Sequence, residues 1–425
     1  MQPFRFIQCG DLHLGAPFHY LKSIGKSVDQ AVALATYRSF EAIVDWAIEE
    51  RVQAFLITGD AYNSKDHNLE AQVRFVRAVE RLAEARIPVY MVQGNHDPAE
   101  SWRAQITLPE NVHVFSSKQV QRFPLMVNNL EIGGIYGMSC GEGNETTNFA
   151  KQYKAFESDD FSIAVMHGTV GAATENSEVK INTSVGPCNV SDLTEAAMDY
   201  WAIGHIHKRQ IVNEEPYVVY AGNPQGLHKK ERGPKGAYLV SVSNNGHCEL
   251  EFKETCAIRF ERATIDISSL KNEADTMEMI RHKKDMLRNN LKKPVLLEIV
   301  LTGTGALHRL CAQEDVRQMW LADSQEEDKG RSVFIMPYVI VDETSPAIDL
   351  EERRKLTDIV GDYLSAYDET IHHDVTNIRA ILAERPEFKR LGRYADFLSD
   401  EVLSRAARRA EIEGVTKLMG ANDED

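Results

Sequence analysis

The chain has 425 residues, of which 43% are hydrophobic and 26% charged, with a formal net charge of −16 at pH 7. This composition is that of an ordinary globular protein, and the length predicts roughly two or three domains. The acidic balance argues against a surface coated with Lys and Arg, although bound divalent cations and local basic stretches can still attract a nucleic acid. The first residues lack a secretory-signal pattern and no apolar run is long enough to cross a bilayer, so we expect a cytoplasmic protein with no membrane partner.

The beginning of the chain predicts a β-α-β-α-β arrangement. Short apolar runs at residues 5–8, 54–58 and 89–93 indicate strands, and each ends at a glycine or polar residue that opens a loop. Helical patterns fill the two gaps, at about residues 29–50 and 66–85. In an open α/β sheet of this kind, ligand sites lie at the carboxyl ends of the strands.

Closely spaced strands follow from about residue 112. Their patterns include residues 130–138, 161–166, 200–203, 210–212, 217–221 and 237–242. We expect these strands to form a second sheet packed on the first. The fold class is therefore α/β, with a two-sheet sandwich flanked by helices over residues 1–265.

Two smaller regions are predicted after the sandwich. Residues 266–345 are expected to form a small α/β domain. Its patterns are a helix at about 269–290, strands at 294–302 and 332–341, and a helical segment at about 305–321. Residues 346–425 are expected to be helical and amphipathic, with a break at Pro386.

Five polar signatures follow apolar strands in the first half of the chain. They are Asp11-Leu12-His13, Gly59-Asp60, Gly94-Asn95-His96-Asp97, Met166-His167-Gly168 and Gly204-His205-Ile206-His207. Any one of them alone would be explained by a helix cap, a turn or a structural histidine. All of them stand at strand ends and are rich in ligand types, and together they predict oxygen and nitrogen ligands for two adjacent divalent metals.

The residue types indicate a separate role for each residue at the predicted metal site. Asp60 has two oxygens and could bridge two cations, and the amide oxygen of Asn95 suits a hard divalent ion. His205 and His207 are two residues apart in an extended segment, so they can address neighbouring ions. His96 offers a titratable proton, and a neighbouring Asp97 can orient its ring. Two cations about 3.5 to 4 Å apart activate a shared water and stabilise in-line displacement, which predicts hydrolysis of phosphate esters.

The order of these motifs resembles that of the calcineurin-like metallophosphoesterases. Over roughly the first 245 residues, the chain is similar to the SbcD/YhaO branch of DNA repair exonucleases. The stretches that carry this likeness are Gly10-Asp11-Leu12-His13-Leu14-Gly15-Ala16-Pro17-Phe18, Gly222-Asn223-Pro224-Gln225-Gly226 and Gly233-Pro234-Lys235-Gly236. After that point only the layout of the domains is alike.

The resemblance implies specific roles at the site. One metal would be held by Asp11, His13, Asp60 and His207, and the other by Asp60, Asn95, His167 and His205, with Asp60 bridging. His96 would be catalytic, placed beside the scissile phosphate, and Mn²⁺ is the metal that the family implies. Relatives usually carry a second Asp where this chain has Asn63, and we expect Asn63, like Asp97, to support the ligands rather than to bind metal.

Basic residues near the site are candidates for substrate binding. Lys229, Lys230, Arg232 and Lys235 follow the turn at Gly222-Asn223 and could hold a nucleic-acid backbone. A second basic cluster, at residues 281–293, either contacts DNA or is a solvated helix face. The segment at residues 390–398 is either a docking surface or, as we slightly favour, a helix packed on its own domain.

The resemblance also implies partners. In relatives a small domain caps the active site and helps to recognise DNA ends. A later helical segment binds the coiled coil of an SMC-like ATPase of the SbcC/YhaN type, and the catalytic domains often form a homodimer. Residues 266–345 and about 350–419 occupy the corresponding places in this chain.

Three functions compete. The leading hypothesis is a metal-dependent DNA exonuclease in DNA repair, with single-strand endonuclease activity as a possible addition. The alternative is a small-molecule phosphodiesterase or phosphatase with the same metal core. The 222–236 stretch and the long extension after the sandwich argue against this alternative. A non-catalytic scaffold for an ATPase has no need for His96, and serine/threonine protein phosphatases carry Glu where Asp97 stands.

Overall fold

The first three strands and their crossover helices form where the apolar patterns predict them. The computed structural model describes residues 1–18, 24–102, 104, 106–141, 143–144, 146–171, 185–347, 350–371, 374–389 and 398–420. Strands β1 (Phe4–Cys9), β2 (Ala54–Thr58) and β3 (Val89–Val92) are parallel neighbours. The crossover helices are α1 (Lys26–Glu50) and α2 (Leu69–Glu84), and the Asn68 side chain caps α2 by accepting a bond from Ala71 N at 3.0 Å.

Nine further strands complete two six-stranded sheets. They are β4 (Val112–Val114), β5 (Gln121–Val127), β6 (Leu130–Met138), β7 (Phe161–His167), β8 (Tyr200–Gly204), β9 (Gln210–Glu214), β10 (Tyr217–Tyr220), β11 (Gly236–Val242) and β12 (Cys248–Glu254). The first sheet has the order β12-β11-β1-β2-β3-β4 and the second β5-β6-β7-β8-β10-β9. A short helix, α3 (Val190–Glu195), precedes β8.

The prediction that the strands from about residue 112 onward join the second sheet was wrong for β4, which pairs with β3 in the first sheet, and for β11. This strand pairs antiparallel with β1 in the first sheet, and β12 continues that edge. Ala237 and Leu239 pack in the core under the helices, whereas Tyr238, Val240 and Val242 pack between the sheets. Because both of its faces are buried, β11 suits an interior position in the sheet rather than an edge.

The two sheets pack face to face through a core that fixes their relative position. The ring of Phe6 meets that of Tyr200 edge-on, with centroids 5.1 Å apart. Between the sheets, the Tyr200 hydroxyl donates to Gln8 Oε1 at 2.6 Å and Gln8 Nε2 donates to Val219 O at 2.8 Å. Burying each such aromatic ring contributes about 1.5 to 3 kcal/mol. The α/β sandwich predicted from the sequence is therefore confirmed, and its packing aligns the carboxyl ends of β1–β3 with those of β7 and β8.

The rest of the chain contains a three-stranded sheet and a run of helices. The strands, in the order β13-β14-β15, are β13 (Arg259–Asp266), β14 (Val295–Gly305) and β15 (Ile335–Pro346). The helices are α4 (Glu273–Leu291), α5 (His308–Ala312), α6 (Glu314–Glu326), α7 (Leu350–Arg353), α8 (Ile359–Ile371), α9 (Val375–Ala383), α10 (Pro386–Lys389) and α11 (Asp400–Gly420). The helical region is interrupted before Pro386, as predicted.

The chain divides into two compact units. The first comprises Met1–Arg262, Leu287–Leu297 and Asp328–Tyr338, and the second comprises Ala263–Met286, Glu298–Glu327 and Val339–Asp425. The three-domain division stays a prediction. Residues 390–397 of the predicted docking segment lie outside the described ranges. Within those ranges, no helix is long and apolar enough to span a membrane.

Candidate metal centre

The polar signatures meet at the carboxyl ends of the two sheets. The loops after β1 and β2 run side by side, with Asp11 N donating to Gly59 O and His13 N to Asp60 O, both at 3.0 Å. The second sheet joins them through His205, whose backbone N donates to the Asp11 carboxylate at 2.9 and 3.1 Å. The candidate ligands that the sequence scatters over two hundred residues are thus neighbours in space.

The backbone is strained where the ligands lie. Asp11, His13, Asp60 and His205 have left-handed φ angles of 49°, 42°, 52° and 98°. Such a conformation costs a residue other than glycine about 1 to 3 kcal/mol and is often retained at functional sites. Gly94 is required for a different reason, because a Cβ atom at this position would overlap Asp60 Oδ1. The fold therefore spends stability to bring these side chains together.

The donor atoms have the spacing of ligands that share an ion. The Nε2 atoms of His13 and His207 are 3.1 Å apart, and Asn95 Oδ1 lies 2.9 Å from His167 Nε2. Asp60 Oδ2 lies between the two pairs, 3.4 Å from His167 Nε2 and 3.8 Å from His13 Nε2. Two ligands about 2.1 Å from one ion and at right angles are about 3 Å apart. This arrangement fits two neighbouring ions with Asp60 between them.

Two groups of donor atoms can each hold a metal within the described part of the chain. One is Asp11, His13 and His207, and the other is Asp11, Asp60 and His167, with the donor atoms of each group within 4.8 Å of one another. The residue that these groups share is Asp11, whereas the family resemblance implies that the ions share Asp60. Both carboxylates are therefore candidates for the bridging ligand.

One ring nitrogen of His205 is buried without a hydrogen-bond partner in the described part of the chain, and this shows whether a metal ion fits the site. Among the residues that the structure describes, no hydrogen-bond partner reaches His205 Nε2, although this atom is inaccessible to solvent. Burial, and then the neighbouring His167, lower the pKa of His205 to about 3, so that its ring is neutral with a free lone pair. Buried polar atoms are seldom left unsatisfied, and a metal ion at this position would satisfy the lone pair.

Charges within the cluster shift the titration of its other members. Burial would raise the pKa of Asp60, but the charges of His167, His13 and His96 outweigh it and lower that pKa below its usual range. Burial would lower the pKa of His167, but the charges of Asp60 and Asp11 and the bond to Thr58 O together raise it. Burial lowers the pKa of His13. The site thus combines ionised carboxylates with buried imidazoles, which is the chemistry of a divalent metal centre.

Three of the candidate histidine ligands are anchored through the ring nitrogen that faces away from the site. His13 Nδ1 lies 3.0 Å from Asn63 Oδ1, and His167 Nδ1 lies 2.8 Å from Thr58 O. His207 Nδ1 lies 2.5 Å from Glu231 Oε1. Such bonds fix the tautomer and orientation of a ligand histidine. Asn63 therefore lies behind His13. Thr58 and Glu231, which hold His167 and His207, were not among the residues predicted from the sequence.

Glu231 is the main functional residue that the sequence reasoning overlooked. Its other oxygen accepts bonds from Asn223 Nδ2 at 2.9 Å and Leu227 N at 2.7 Å, and the side chain is buried. Burial would raise the pKa of Glu231, but His207 and Lys235 bring it well below the usual range. The signal in the sequence was an acidic residue inside the basic stretch at residues 228–235, where only the cations were considered.

Asp97 has a different role from the one predicted. Its carboxylate accepts bonds from the backbone amides of Gly94 at 2.7 Å, Ala61 at 2.9 Å and Asp60 at 3.2 Å. Within the described ranges, these amides are the hydrogen-bond partners of the Asp97 carboxylate, and the His96 ring is not one of its partners. Burial and the nearby charge of Asp60 raise the pKa of Asp97 to about 7. Asp97 therefore shapes the loops around Asp60 and does not orient His96.

His96 stands beside the cluster rather than in it. Its backbone N donates to Asp60 Oδ1 at 2.8 Å, and its carbonyl accepts bonds from Ser64 N and Ser64 Oγ, both at 2.9 Å. The ring centroid lies 4.9 Å from that of His13, and the residue is exposed. Neither group of donor atoms found in the described chain includes His96 or His205, but the His96 ring is exposed whereas His205 Nε2 is buried. A fixed backbone with an exposed ring leaves the imidazole available to a substrate.

The predicted basic residues fall into two sets. Lys229, Lys230 and Arg232 are exposed on the loop that carries Glu231. Lys235 is different, because its ammonium donates to His207 O at 2.8 Å and burial lowers its pKa. It holds the backbone of a candidate ligand.

The second basic cluster, on α4, is partly committed to packing. Lys284 is 1% exposed and its ammonium donates to Ser324 O, and Arg281 pairs with Glu327 at 2.8 Å. For these residues, packing and ion pairing account for the charge. A role for this cluster in DNA binding is not needed to explain them.

Comparison with known proteins supports the reading of the motifs. Residues 4–209 match the calcineurin-like phosphoesterase family, and residues 260–339 match the middle domain of the metallophosphoesterase YhaO. The chain is 31% identical over 408 residues to the uncharacterized metallophosphoesterase YhaO of Bacillus subtilis (strain 168), which covers 96% of each chain.

More distant relatives carry the name of a repair protein. The DNA double-strand break repair protein Mre11 of Sulfurisphaera tokodaii is 25% identical over 325 residues, which cover 71% of this chain and 74% of that protein. Its namesake from Sulfolobus acidocaldarius is 23% identical over 378 residues, which cover 85% and 90%. The resemblance deduced from the motifs is thus confirmed, and with it membership of a hydrolase family that uses divalent metals. The chain belongs to the calcineurin-like metallophosphoesterases, within the YhaO family.

Proposed function

We propose that this protein is a two-metal phosphodiesterase that degrades DNA from its ends, with single-strand endonuclease activity as an extension of the same chemistry. One observation supports the metal-dependent part above others. Among the candidate ligands, His205 Nε2 is buried and lacks a hydrogen-bond partner in the described structure, and the backbone N of His205 donates to the candidate ligand Asp11. His96 stands exposed nearby. A cluster built only for stability would not leave His205 Nε2 unsatisfied.

The candidate ligands are proposed to hold two divalent ions, with Mn²⁺ as the preferred metal. They are Asp11, His13, Asp60, Asn95, His167, His205 and His207. When bound, such ions supply an activated water and offset the charge that develops on the phosphate oxygens. Asp60 accepts a bond from His96 N and so fixes the backbone that carries the catalytic ring. His96 is proposed to protonate the leaving oxygen or to stabilise the transition state.

Two observations favour DNA as the substrate. The Mre11 relatives are named for repair of DNA double-strand breaks, and they align over most of their own length. Glu231 contacts His207, so the exposed cations Lys229, Lys230 and Arg232 belong to a loop that reaches the metal cluster. Positive side chains beside the reacting phosphate can hold a nucleic-acid backbone. A small-molecule phosphodiesterase would have less use for such a loop.

The partners follow the same proposal. We place an SMC-like coiled-coil ATPase on the helical region at residues 346–425, where Leu356 and Ile359 are exposed to 47% and 59%. The proposal also includes a homodimer formed through the catalytic domain, a cytoplasmic location and a role in DNA repair. Copurification with an ATPase and the mass of the isolated chain in solution test these two associations separately.

A direct assay tests the proposed activity. Purified protein with Mn²⁺ is incubated with end-labelled duplex and single-stranded DNA, and in parallel with bis-p-nitrophenyl phosphate. We expect shortening of the DNA that requires the metal and stops with EDTA. Hydrolysis of the small ester without any cleavage of DNA, with or without an ATPase partner, would favour the small-molecule alternative instead.

His96→Ala is the matched control for that assay. General acid catalysis is typically worth about 10²- to 10⁴-fold, so we expect turnover to fall by that factor. Because the His96 ring is exposed and the bond from His96 to Asp60 comes from its backbone N, the content of bound metal should stay at the wild-type level. Loss of an ion from this variant would instead make His96 a ligand.

A further inference from the structure

An exposed pair of aromatic rings lies on the loops that carry the candidate active site. Trp102 is 40% exposed, and its ring centroid lies 4.6 Å from that of His67, with 32° between the ring planes. His67 is exposed as well. Neither residue has a role in the proposed chemistry, and neither belongs to the five polar signatures.

The pair is connected to His96 by hydrogen bonds. Ser64 N and Ser64 Oγ both donate to His96 O at 2.9 Å, and His67 N donates to Ser64 O at 3.2 Å. Residues Ser64–Asp66 form a 3-10 turn, which rises about 2 Å per residue, so the backbone of His67 lies about 6 Å from that of Ser64. The backbone of His67 is therefore joined to that of His96 through one 3-10 turn and its hydrogen bonds.

The segment that carries Trp102 is held on both sides. Ala99 N donates to Cys140 O at 3.0 Å, and Ser101 N donates to Pro98 O at 2.9 Å. Beyond the tryptophan, Ala104 N donates to the buried side chain of Gln72 at 2.8 Å. Hydrogen bonds thus hold the described backbone before and after Trp102, whose indole is exposed. A ring held in this way loses less freedom when it binds a ligand.

We propose that Trp102 and His67 form a stacking site for a nucleobase of the DNA strand whose phosphodiester is cleaved beside His96. A flat ring accepts any base on its face, so the site would bind single-stranded DNA without reading its sequence. In a duplex, a base can reach this site only after the end has frayed. This inference rests on the proposed function and adds a base-binding subsite to it.

The experiment compares intact oligonucleotides with oligonucleotides that carry a single abasic residue. Cleavage of each is measured for the wild type, Trp102→Ala, Trp102→Phe and His67→Ala. Phe156→Ala is the matched control, because Phe156 is another exposed ring, 57% accessible, that pairs with Tyr136. Thermal unfolding, metal content and kcat on saturating bis-p-nitrophenyl phosphate show whether each variant keeps its fold and its chemistry.

We expect Trp102→Ala to lower kcat/KM for intact DNA by about 5- to 150-fold, mainly through KM, since that is the range for loss of one base–aromatic stack. In the wild type, an abasic residue at one position near the cut should cause a loss of similar size. In Trp102→Ala the same abasic residue should cause no further loss. Trp102→Phe should recover much of the activity, and Phe156→Ala should match the wild type.

Other results would overturn the proposal. Equal cleavage of intact DNA by Trp102→Ala and wild type would do so, as would insensitivity of the wild type to abasic residues at every position. A loss of kcat on the small ester, or of metal, would make Trp102 a structural support of the site.

A binding measurement separates this proposal from the proposed function. Anisotropy of labelled single-stranded oligonucleotides is measured on His96→Ala with and without Trp102→Ala. If adding Trp102→Ala weakens binding of the intact oligonucleotide but not of the abasic one, the stacking site is supported. This holds even if the wild type hydrolyses only the small ester. If binding does not depend on the base, the stacking site is wrong whatever the protein cleaves.

Discussion

The two sides of the candidate metal centre, one at the end of each large sheet, are held in different ways. On the side of the first sheet, backbone amides hold the carboxylates, since His205 N donates to Asp11 and His96 N donates to Asp60. Left-handed φ angles at Asp11 and Asp60 turn the chain sharply at these positions. The placing of the oxygen donors therefore depends on the shape of the local backbone.

On the side of the second sheet, single hydrogen bonds hold the rings. His167 Nδ1 is fixed by Thr58 O at 2.8 Å and His207 Nδ1 by Glu231 at 2.5 Å. An imidazole can rotate and change tautomer, so one bond at its second nitrogen determines how it meets a metal. We infer that damage to the first side should reduce both metal occupancy and fold stability. Damage to the second side should always reduce the affinity for metal. It should reduce fold stability only where the same residue also holds other buried groups, as Glu231 holds Asn223 and Leu227.

Asp60→Ala should have the largest effect, because Asp60 Oδ2 lies between His167 Nε2 at 3.4 Å and His13 Nε2 at 3.8 Å. We expect loss of both ions and a fall in turnover on the order of 10³-fold, since several kcal/mol of charge stabilisation disappear. Metal content after dialysis and hydrolysis of bis-p-nitrophenyl phosphate measure these two effects. Asp160→Ala, at an exposed aspartate, is the control.

If Asp60→Ala keeps two ions, the bridging role passes to Asp11, the residue common to both donor groups in the described structure. The same measurement on Asp11→Ala would then decide between the two carboxylates.

Asp97→Ala should mainly cost stability. The substitution leaves the buried amides of Gly94, Ala61 and Asp60 without their acceptor. Each lost bond to a buried group costs about 1 to 3 kcal/mol, so we expect a fall of at least about 3 kcal/mol in the free energy of unfolding, reduced somewhat by relief of the repulsion with Asp60. Asp97→Asn keeps one acceptor and should fall in between. Urea unfolding with EDTA present excludes an indirect effect of metal loss, and an unchanged midpoint would refute this role.

The local parts of the fold could be predicted from the sequence, and the long-range parts could not. The strand at Ala54–Thr58 was predicted residue for residue, because its apolar run ends at Gly59 and is complete in itself. The sheet to which β11 belongs depends on its pairing with β1, for example Val240 with Phe6, more than two hundred positions away. An apolar pattern contains no information about that partner.

The site shows the same limit at smaller scale. Metal-ligand types at strand ends were visible as motifs, because a ligand is recognised by its own chemistry. The partners behind them were less visible. Thr58 contributes only a carbonyl oxygen, which any residue has, and Glu231 reaches His207 through the conformation of a loop. Asp97 stands next to His96 in the chain, yet its carboxylate accepts bonds from the backbone amides of Asp60 and Ala61 instead of contacting the His96 ring.

Glu231→Ala tests the second side of the comparison. Removing a carboxylate that orients a metal-binding histidine typically lowers metal affinity by about 10- to 100-fold, and we expect the upper end because this side chain is buried against His207. Glu231→Gln keeps an acceptor without the charge and should lose about tenfold. Calorimetric titration of the metal-free protein with Mn²⁺ gives both affinities, with exposed Glu249→Gln as control. Wild-type affinity in Glu231→Ala would mean that the contact does not position the ligand.

Asn63→Ala should have the smallest effect on metal affinity. It tests whether the charge of the residue behind a ligand histidine matters, or whether a neutral hydrogen bond is enough. Asn63 Oδ1 meets His13 Nδ1 at 3.0 Å, in the same position that Glu231 takes behind His207, but as a neutral group. Charge-assisted hydrogen bonds are roughly twice as strong as neutral ones, so we expect metal affinity to fall by about tenfold or less.

Asp66→Ala is the matched control for Asn63→Ala, because it removes the other hydrogen bond of Asn63, from Nδ2 to Asp66 Oδ2 at 3.0 Å, and leaves His13 untouched. If Asn63→Ala costs as much affinity as Glu231→Ala, a hydrogen bond of either kind suffices to orient a ligand ring. The two sides of the centre would then differ only in which atoms hold them, because the buried charge of Glu231 would add nothing to the binding of metal.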